Sequence, residues 1–240
     1  MSKNGLLYKI IEKKVTARNT MAFYWEKPAG FEFIAGQFCE ITLINPPITD
    51  EAGNTRAFSF VSTPFDKNLV TATRIRNTAF KQNLHDLPIG TEIKLTGPYG
   101  DYKLHKNFDK PAVFIIGGIG ITPVRSIIAM ATHDKLPHKI TLIYSNRTSA
   151  DAPFLSDFED FAKNNPNFTF VPVYTRLDNA EPDGENRHIN AEMLRKHIND
   201  ILKPIYYLSG PSEMVKAMRQ LLVEIGADED NIRTEEFDGY

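Results

Sequence analysis

The feature that most constrains the fold is a glycine-rich segment near the middle of the chain, PAVFIIGGIGITP at residues 111–123. Residues 113–116 are apolar and mostly β-branched, which is typical of a strand buried on both faces of a sheet. Three glycines end this run: Gly117, Gly118 and Gly120. The segment therefore predicts a buried strand that ends in a tight turn.

The residues after this turn predict the start of a helix. Thr122 is placed to act as the N-cap, and Pro123 follows at the first helical position, where its missing N–H is tolerated. Backbone N–H groups and the positive end of a helix dipole then face one small volume, which suits a phosphate group. The dinucleotide fingerprint G-x-G-x-x-G is incomplete, because Pro123 stands in place of the third glycine. Many such turns hold no ligand, so nucleotide binding needs support from the rest of the chain.

The first half of the chain has a sequence pattern typical of β structure. Short runs rich in β-branched and aromatic residues are separated by turn signals, and one helical segment interrupts them at 79–87. The predicted strands are 8–12, 21–25, 38–43, 57–61, 70–76 and 91–96. Six short strands at regular spacing predict a small antiparallel barrel or sandwich, and we take the antiparallel six-stranded β-barrel as the prediction.

In the second half, strands alternate with helices, which predicts a parallel sheet covered by helices on both faces. The predicted strands are 113–116, 140–144, 168–174, 205–208 and 232–237, and the predicted helices are 124–132, 154–164, 191–199 and 212–226. The chain is thus predicted to have two domains, a β-barrel at residues 1–108 and an α/β domain with a parallel five-stranded sheet at residues 109–240.

Composition and charge argue against several classes of function. The 240 residues carry a net charge of −2, so the basic surface typical of nucleic-acid binding is not expected. No apolar run approaches the roughly 20 residues of a membrane span, and no secretory signal follows the first residues, so we expect a cytoplasmic protein. Cys39 is the one cysteine, and the six histidines show no ligand spacing, so no metal is expected.

The predicted barrel contains an unusual combination of side chains at residues 56–59. Arg56 and Phe58 share one face of a strand, Ala57 lies between them, and Ser59 follows. One interpretation gives Arg56 to a phosphate, Phe58 to stacking on a planar ring, and Ser59 to a ring nitrogen. The alternative is an exposed arginine beside a core phenylalanine.

A second candidate anion site follows the fifth predicted strand. Thr73, Arg74 and Ile75 end this strand, and Asn77 or Thr78 can cap the helix that begins at Ala79 and Phe80. Backbone N–H groups and nearby arginines would together bind an anion. An ordinary helix cap with solvated arginines is the alternative.

The second strand of the α/β half ends in a position that often contacts the ribose of a dinucleotide. An acidic side chain there is typical of NAD binding. This chain has Ser145 instead, with Arg147 two residues later and Arg176 at the end of the next predicted strand. Hydroxyl and positive charge fit a 2′-phosphate and hence NADPH, although surface arginines are common.

Taken together, these segments resemble the ferredoxin–NADP reductase superfamily, over nearly the whole chain and in the family's order. The matching motifs are RAFS at 56–59, the helix start TAF at 78–80, GPYG at 97–100, the turn GGIGITP at 117–123, SGP at 209–211 and the ending EEF at 235–237. Two departures stand out: Phe58 replaces the commoner tyrosine, and Ser209 replaces a common cysteine.

The resemblance implies an FAD-binding barrel followed by an NAD(P)-binding domain, with FAD and NADP(H) or NAD(H) as cofactors. The nicotinamide would lie near Gly210 and Pro211, and Ser59 would hydrogen-bond the flavin ring. Phe237 or Tyr240 would cover that ring, and Glu236 or its neighbour Glu235 would handle a proton, although a solvated chain end is the alternative.

The implied activity is transfer of a hydride between NAD(P)H and FAD, followed by single electrons to a separate small redox protein of the ferredoxin, flavodoxin or heme type. A nucleotide-binding regulatory module without turnover is the alternative. An NAD-dependent dehydrogenase without flavin is disfavoured, because the chain lacks the third glycine and the acidic ribose ligand. The sequence identifies neither the acceptor nor the oligomeric state.

Overall fold

The computed structural model describes residues 6–176 and 183–237. The first half forms one antiparallel sheet of six strands with a helix before the last of them. The strands are β1 (Leu6–Ala17), β2 (Thr20–Glu26), β3 (Phe38–Leu43), β4 (Thr55–Ser59), β5 (Asn68–Arg74) and β6 (Glu92–Tyr99). All six predicted strands are therefore confirmed, with ends that differ by a few residues.

The six-stranded sheet closes into a barrel. Its order is β4-β3-β6-β1-β2-β5, and the two edge strands meet through a bridge between Phe60 and Thr71. Beside it the Val61 N–H donates to Val70 O at 2.8 Å. Inside the barrel the Trp25 indole donates to the Thr71 hydroxyl at 3.0 Å, which satisfies a buried polar pair.

The predicted helix of the first half is α1 (Ala79–Asp86), between β5 and β6. Thr78 is its N-cap, and the Thr78 hydroxyl accepts from the Lys81 N–H at 3.4 Å. The prediction left the cap open between Asn77 and Thr78, and the structure assigns it to Thr78.

The second half is a parallel five-stranded sheet, in the order β11-β10-β7-β8-β9. Its strands are β7 (Ala112–Gly117), β8 (Ile140–Asn146), β9 (Phe168–Tyr174), β10 (Ile205–Gly210) and β11 (Ile232–Glu236). Its helices are α2 (Ile121–His133), α3 (Leu155–Asn164), α4 (Ala191–His197) and α5 (Ser212–Glu224). The first two helices pack on one face and the last two on the other, which confirms the predicted α/β architecture.

The start of α2 differs from the prediction. The residues Gly118–Gly120 form a 3₁₀ turn directly after β7, so the helix already begins at Ile121 with Gly120 as its N-cap. The assignment of Thr122 as N-cap is therefore wrong, and its hydroxyl instead donates to Ile119 O at 3.1 Å. Pro123 is the third helical residue, where a missing N–H is also tolerated because that N–H has no intrahelical acceptor.

Hydrogen bonds from the first turns of α2 fix the two sheets relative to each other. The Arg125 guanidinium donates to Val61 O at 2.9 Å, and the Ser126 hydroxyl donates to Ser62 O at 2.6 Å. The predicted domain boundary at residues 108 and 109 falls between β6 and β7 and stays a prediction. Within the described residues, no helix combines the length and apolarity needed to cross a membrane.

Candidate active site

A cavity of about 360 Å³ lies between the barrel and the C-terminal end of the described chain. One wall is β4, the strand that carries the RAFS segment, and the other is the end of β11, so only the C-terminal end of the described chain reaches this cavity. The lining residues are Phe38, Arg56, Ala57, Phe58, Ser59, Glu235, Glu236 and Phe237. We call this space the barrel cavity. The structure thus brings the predicted Ser59 and the predicted Glu236 and Phe237 to one place.

Arg56 and the N-terminus of α1 lie side by side next to this cavity. The Arg56 guanidinium donates to Ala52 O at 2.9 Å and to Gly53 O at 3.0 Å. Its central carbon lies 5.2 Å from the centre of the Phe80 ring, in the first turn of α1. The two predicted anion sites of the barrel are therefore adjacent.

Positive charge is concentrated around this helix start. Burial, together with the nearby guanidinium groups of Arg76, Arg56 and Arg74, lowers the pKa of Lys81 to about 8. A lysine whose pKa falls this way lies where added negative charge is favourable. The surroundings of α1 therefore suit an anion such as a pyrophosphate.

Three other predicted residues of the barrel are placed differently from expectation. The Phe58 ring is only 4% exposed and packs against Phe80, so it offers little surface for a stacked planar ring. Thr73 is fully buried, and its hydroxyl is directed at Arg74 O at 3.5 Å. Phe80 and Thr73 support the site from the core and line none of the cavities described here.

A second groove of about 560 Å³ runs over the glycine turn of the α/β half. Its lining includes seven of the predicted cofactor-binding positions: Arg74, Gly117, Gly118, Ser145, Arg147, Pro211 and Phe237. We call this space the turn groove. Phe237 lines both the turn groove and the barrel cavity, so its side chain stands where the two spaces meet.

The glycines of the turn serve two different purposes. A Cβ atom at Gly120 would stand 2.6 Å from Gly210 N, and one at Gly210 would stand 2.9 Å from Gly117 O. Because these three glycines have no side chain, the end of β7 and the turn after it can pack closely against the end of β10. Gly118 has φ +52° and open space toward the groove, where the nearest atom is the Arg74 guanidinium at 3.7 Å from a would-be Cβ.

Other predicted positions lie beneath the turn. Thr122 and Pro123 are buried in α2 and do not line the turn groove. Gly210 ends β10 and is fully buried, and its carbonyl accepts from the Phe237 N–H at 3.0 Å. These residues position the turn and the end of the chain, while contact with a ligand stays a prediction for them.

Arginines from both halves of the chain surround a third cavity, of about 220 Å³. Its lining is Arg18, Asn19, Arg74, Ile75, Arg76, Arg147, Asp151 and Arg176. We call these residues the arginine cluster. The carboxylate of Asp151 is its one acidic group among the described residues and lies 3.5 Å from Arg18. The sequence placed Arg74 and Arg147 in separate anion sites, and the structure brings them to one.

The two acidic residues at the end of β11 have different environments. Burial raises the pKa of Glu235 to about 7, and its Oε2 has no hydrogen-bond partner among the described residues. Glu236 is exposed. The structure therefore favours Glu235 over Glu236 as the proton-handling carboxylate. Tyr240 lies outside the described residues.

Two buried polar side chains were missed as site residues. The amide of Asn146 is 6% exposed, lines the turn groove, and finds no hydrogen-bond partner within the described residues. The Ser209 hydroxyl is 1% exposed and likewise unpartnered in that part of the chain. A polar residue at the carboxyl end of a parallel strand was the available signal, because ligands of such sheets bind there.

A larger cavity of about 830 Å³ lies between the β1–β2 hairpin and the start of α3. Its lining includes Lys14, Tyr24, Arg125, Phe154 and Asp157. None of the predicted site residues lines it, so size alone does not identify the site.

Comparison with known proteins supports the two-sheet fold and the resemblance to the ferredoxin–NADP reductase superfamily. The family model of the oxidoreductase NAD-binding domain matches residues 114–220. The reductase component of propane 2-monooxygenase from Rhodococcus jostii (strain RHA1) is 28% identical over 218 residues, which is 88% of this chain and 57% of that protein. The chain spans a little over half the length of such curated relatives.

Solved structures share the architecture over almost the whole chain. The cytochrome P450 reductase GcoB of Amycolatopsis has a TM-score of 0.82 and 25% identity, covering 97% of this chain and 71% of that one. A ferredoxin NADP+ reductase from Neisseria gonorrhoeae, solved with bound FAD and NADP, has a TM-score of 0.82 and 22% identity, covering 98% and 99%. The second likeness shows the fold alone.

Proposed function

We propose that this chain, whose sequence motifs and fold resemble those of the ferredoxin–NADP reductase superfamily, is an FAD-dependent NAD(P)H oxidoreductase that delivers electrons to a separate acceptor. One observation carries the proposal: the barrel cavity and the turn groove meet at Phe237. A flavin in the first and a nicotinamide dinucleotide in the second would have their reacting rings adjacent there.

The donor set beside the barrel cavity fits the anionic part of FAD. Arg56 and the N-terminal N–H groups of α1 offer two adjacent anion contacts, which a pyrophosphate can use together. Lys81 and Arg74 add positive charge around the same helix start. In this proposal Ser59 lies against the flavin ring, and the other residues hold the phosphate end.

The turn groove fits the coenzyme. The backbone N–H groups around Gly118 and the nearby Arg74 guanidinium would hold the coenzyme pyrophosphate. The amide of Asn146, which lines this groove, would gain hydrogen-bond partners from ribose and carboxamide groups, which both donate and accept. A buried amide without a hydrogen-bond partner among the described residues supports ligand binding at this groove, since unpaired burial is unfavourable.

When bound, FAD would accept a hydride from the coenzyme and release electrons singly, and that chemistry belongs to the cofactor. The protein contributes position and electrostatics. Phe237 covers the meeting point and must move aside for a nicotinamide ring. Glu235, whose pKa burial raises to about 7, can hold a proton there at neutral pH.

The arginine cluster supports a preference for NADPH over NADH. Arg147 lines both the turn groove and the cluster, so a 2′-phosphate at the ribose would enter a space lined by guanidinium groups. Fork-shaped guanidinium groups bind phosphate strongly.

For the electron acceptor we propose a small redox protein of the ferredoxin, flavodoxin or heme type. Support for this proposal comes from similar proteins, which include the reductase component of a propane 2-monooxygenase and a flavohemoprotein from Dictyostelium discoideum. Localisation in the cytoplasm likewise stays a prediction.

Anaerobic reduction of the FAD-loaded protein by NADPH and NADH in parallel, followed by a screen of acceptors, tests the proposal. We expect the yellow colour of oxidised flavin to bleach, faster with NADPH at low coenzyme concentration. Bound FAD that neither coenzyme reduces would indicate the alternative, a nucleotide-binding module without turnover. Failure to bind FAD at all would reject both.

A further inference from the structure

The anion contacts of the barrel already hold a carboxylate from the chain itself. Asp50 lies in the segment between β3 and β4, and its Oδ2 accepts from the Ala79 N–H, the first residue of α1, at 3.3 Å. Its Oδ1 lies 3.9 Å from the Arg56 guanidinium. The Asp50 carboxylate thus bridges the two groups that the proposed function gives to the flavin phosphates.

The surrounding segment holds Asp50 in this position. The Asp50 Oδ1 also accepts from the Ala52 N–H at 3.1 Å, which forms a local turn. The Asn83 side chain in α1 donates to Ile48 O at 2.7 Å and accepts from the Ile48 N–H at 3.3 Å. The segment is therefore fastened to α1, and Asp50 does not reach the helix start by chance.

A phosphate bound at this helix start would meet the same donors. Two anions cannot share one N–H group and one guanidinium without repulsion, and Asp50 is only about 38% exposed, so screening by water is incomplete. Binding of a flavin phosphate therefore requires the Asp50 carboxylate to leave its contacts and to remain near a second negative charge.

We propose that Asp50 is a specificity-determining residue that competes with the phosphate of the flavin for Arg56 and the N-terminus of α1. This inference rests on the proposed function. It predicts that the carboxylate weakens binding of phosphorylated flavins and leaves binding of riboflavin, which has no phosphate, unchanged.

Asp50→Asn tests the competition with little change in shape. The asparagine carbonyl can keep the hydrogen bond from the Ala52 N–H, while its amide nitrogen, in place of Oδ2, cannot accept from the Ala79 N–H, so both the charge and the contact with the helix start are removed. Calorimetric titration of the flavin-free full-length protein with FAD should give a Kd roughly three- to tenfold lower than in the wild type. The Kd for riboflavin should stay within about twofold, since no phosphate is present to compete.

Glu51→Gln is the matched control. It removes the same charge one residue away, at an exposed side chain, and should leave the Kd for FAD nearly unchanged. If the Kd for FAD is the same in the wild type and in Asp50→Asn, or if the Kd for riboflavin falls as much as that for FAD, the proposed competition is overturned. FAD binding in these proteins would still uphold the proposed site. Absence of FAD binding in all three proteins would overturn the proposed function and the inference with it. Should Asp50→Asn not fold, Asp50→Ser serves the same comparison.

Discussion

At the scale of single residues, Glu235 shows how burial decides a role that sequence leaves open. The sequence has two adjacent glutamates, and only strand register determines which of the two carboxylates is buried. In β11, Glu235 pairs with Ser209 of β10 and Glu236 pairs with Gly210. Neighbouring residues of a strand face opposite sides, so a shift of one position exchanges their environments.

This environment predicts a pH-dependent stability. Burial raises the pKa of Glu235 from about 4.5 to about 7. Between these pH values the folded protein holds a proton that the unfolded chain has released, so the free energy of unfolding falls as pH rises. Glu235→Gln removes this loss, and the flavin-free variant should exceed the wild type in stability at pH 8 by up to about 3 kcal/mol, with little difference at pH 4.

Urea unfolding at the two pH values measures this effect. Glu236→Gln is the control, because that side chain is exposed, and its difference from the wild type should be the same at pH 4 and pH 8. A Glu235→Gln protein whose advantage does not grow with pH would show that the carboxylate is solvated.

Other site residues could be predicted from their types and spacing. Arg56 and Ser59 were identified because a cation, an aromatic and a hydroxyl in one short strand are unusual, and both line the barrel cavity. For Phe58 the sequence left ring stacking and a place in the core as alternatives, and its burial against Phe80 favours the core.

At the scale of elements, the glycines of the turn after β7 have different surroundings. Gly120 packs against the backbone of β10, and Gly118 faces the turn groove. Gly120→Ala would place a Cβ 2.6 Å from backbone atoms of the neighbouring strand end, and backbone cannot yield as a flexible side chain can. Gly118→Ala has room for its Cβ, and its cost arises from φ +52°.

We therefore expect Gly120→Ala to lower the free energy of unfolding by more than about 2 kcal/mol and Gly118→Ala by about 1 kcal/mol. Chemical denaturation of the two variants measures the difference. Gly118→Ala should also weaken coenzyme binding, since its methyl group enters the turn groove. A reversal of the two stabilities would contradict the packing described for the turn.

The elements themselves were largely predictable. Each predicted strand coincides with an observed one, because the β-branched and aromatic runs are bounded by glycine, proline and asparagine. The start of α2 was not predictable, because Gly118 has a positive φ and the 3₁₀ segment Gly118–Gly120 runs directly into the helix. The sequence alone does not show which glycine takes that conformation.

The end of β8 carries a prediction on coenzyme choice. Arg147→Asp should raise the Kd for NADPH at least roughly tenfold and change that for NADH much less, because only NADPH carries a 2′-phosphate. Equilibrium titration with both coenzymes gives the ratio. Arg195→Asp, in α4, makes the same charge change outside the cavities described here and should leave the ratio unaltered. An unchanged ratio in Arg147→Asp would remove the basis for the NADPH preference.

At the scale of the whole molecule, function depends on how the two sheets are placed. The sequence pattern changes near residue 110 from successive strands to alternating strands and helices, which indicates two architectures. Their relative placement, however, depends on contacts such as the hydrogen bond from the Ser126 hydroxyl to Ser62 O. Those contacts bring Arg74 of the barrel beside Gly118 of the α/β half. Side-chain contacts between distant segments leave no periodic signal in a sequence.

The central claim is that the barrel cavity and the turn groove meet closely enough for direct hydride transfer. Single-turnover reduction of the FAD-loaded protein, with NADPH and with NADPH carrying deuterium at both C4 positions, tests it most directly. We expect flavin bleaching in both cases and a clearly slower rate with the deuterated coenzyme, because a C–H bond breaks as the flavin is reduced. Equal rates, or no bleaching of bound FAD, would contradict the account.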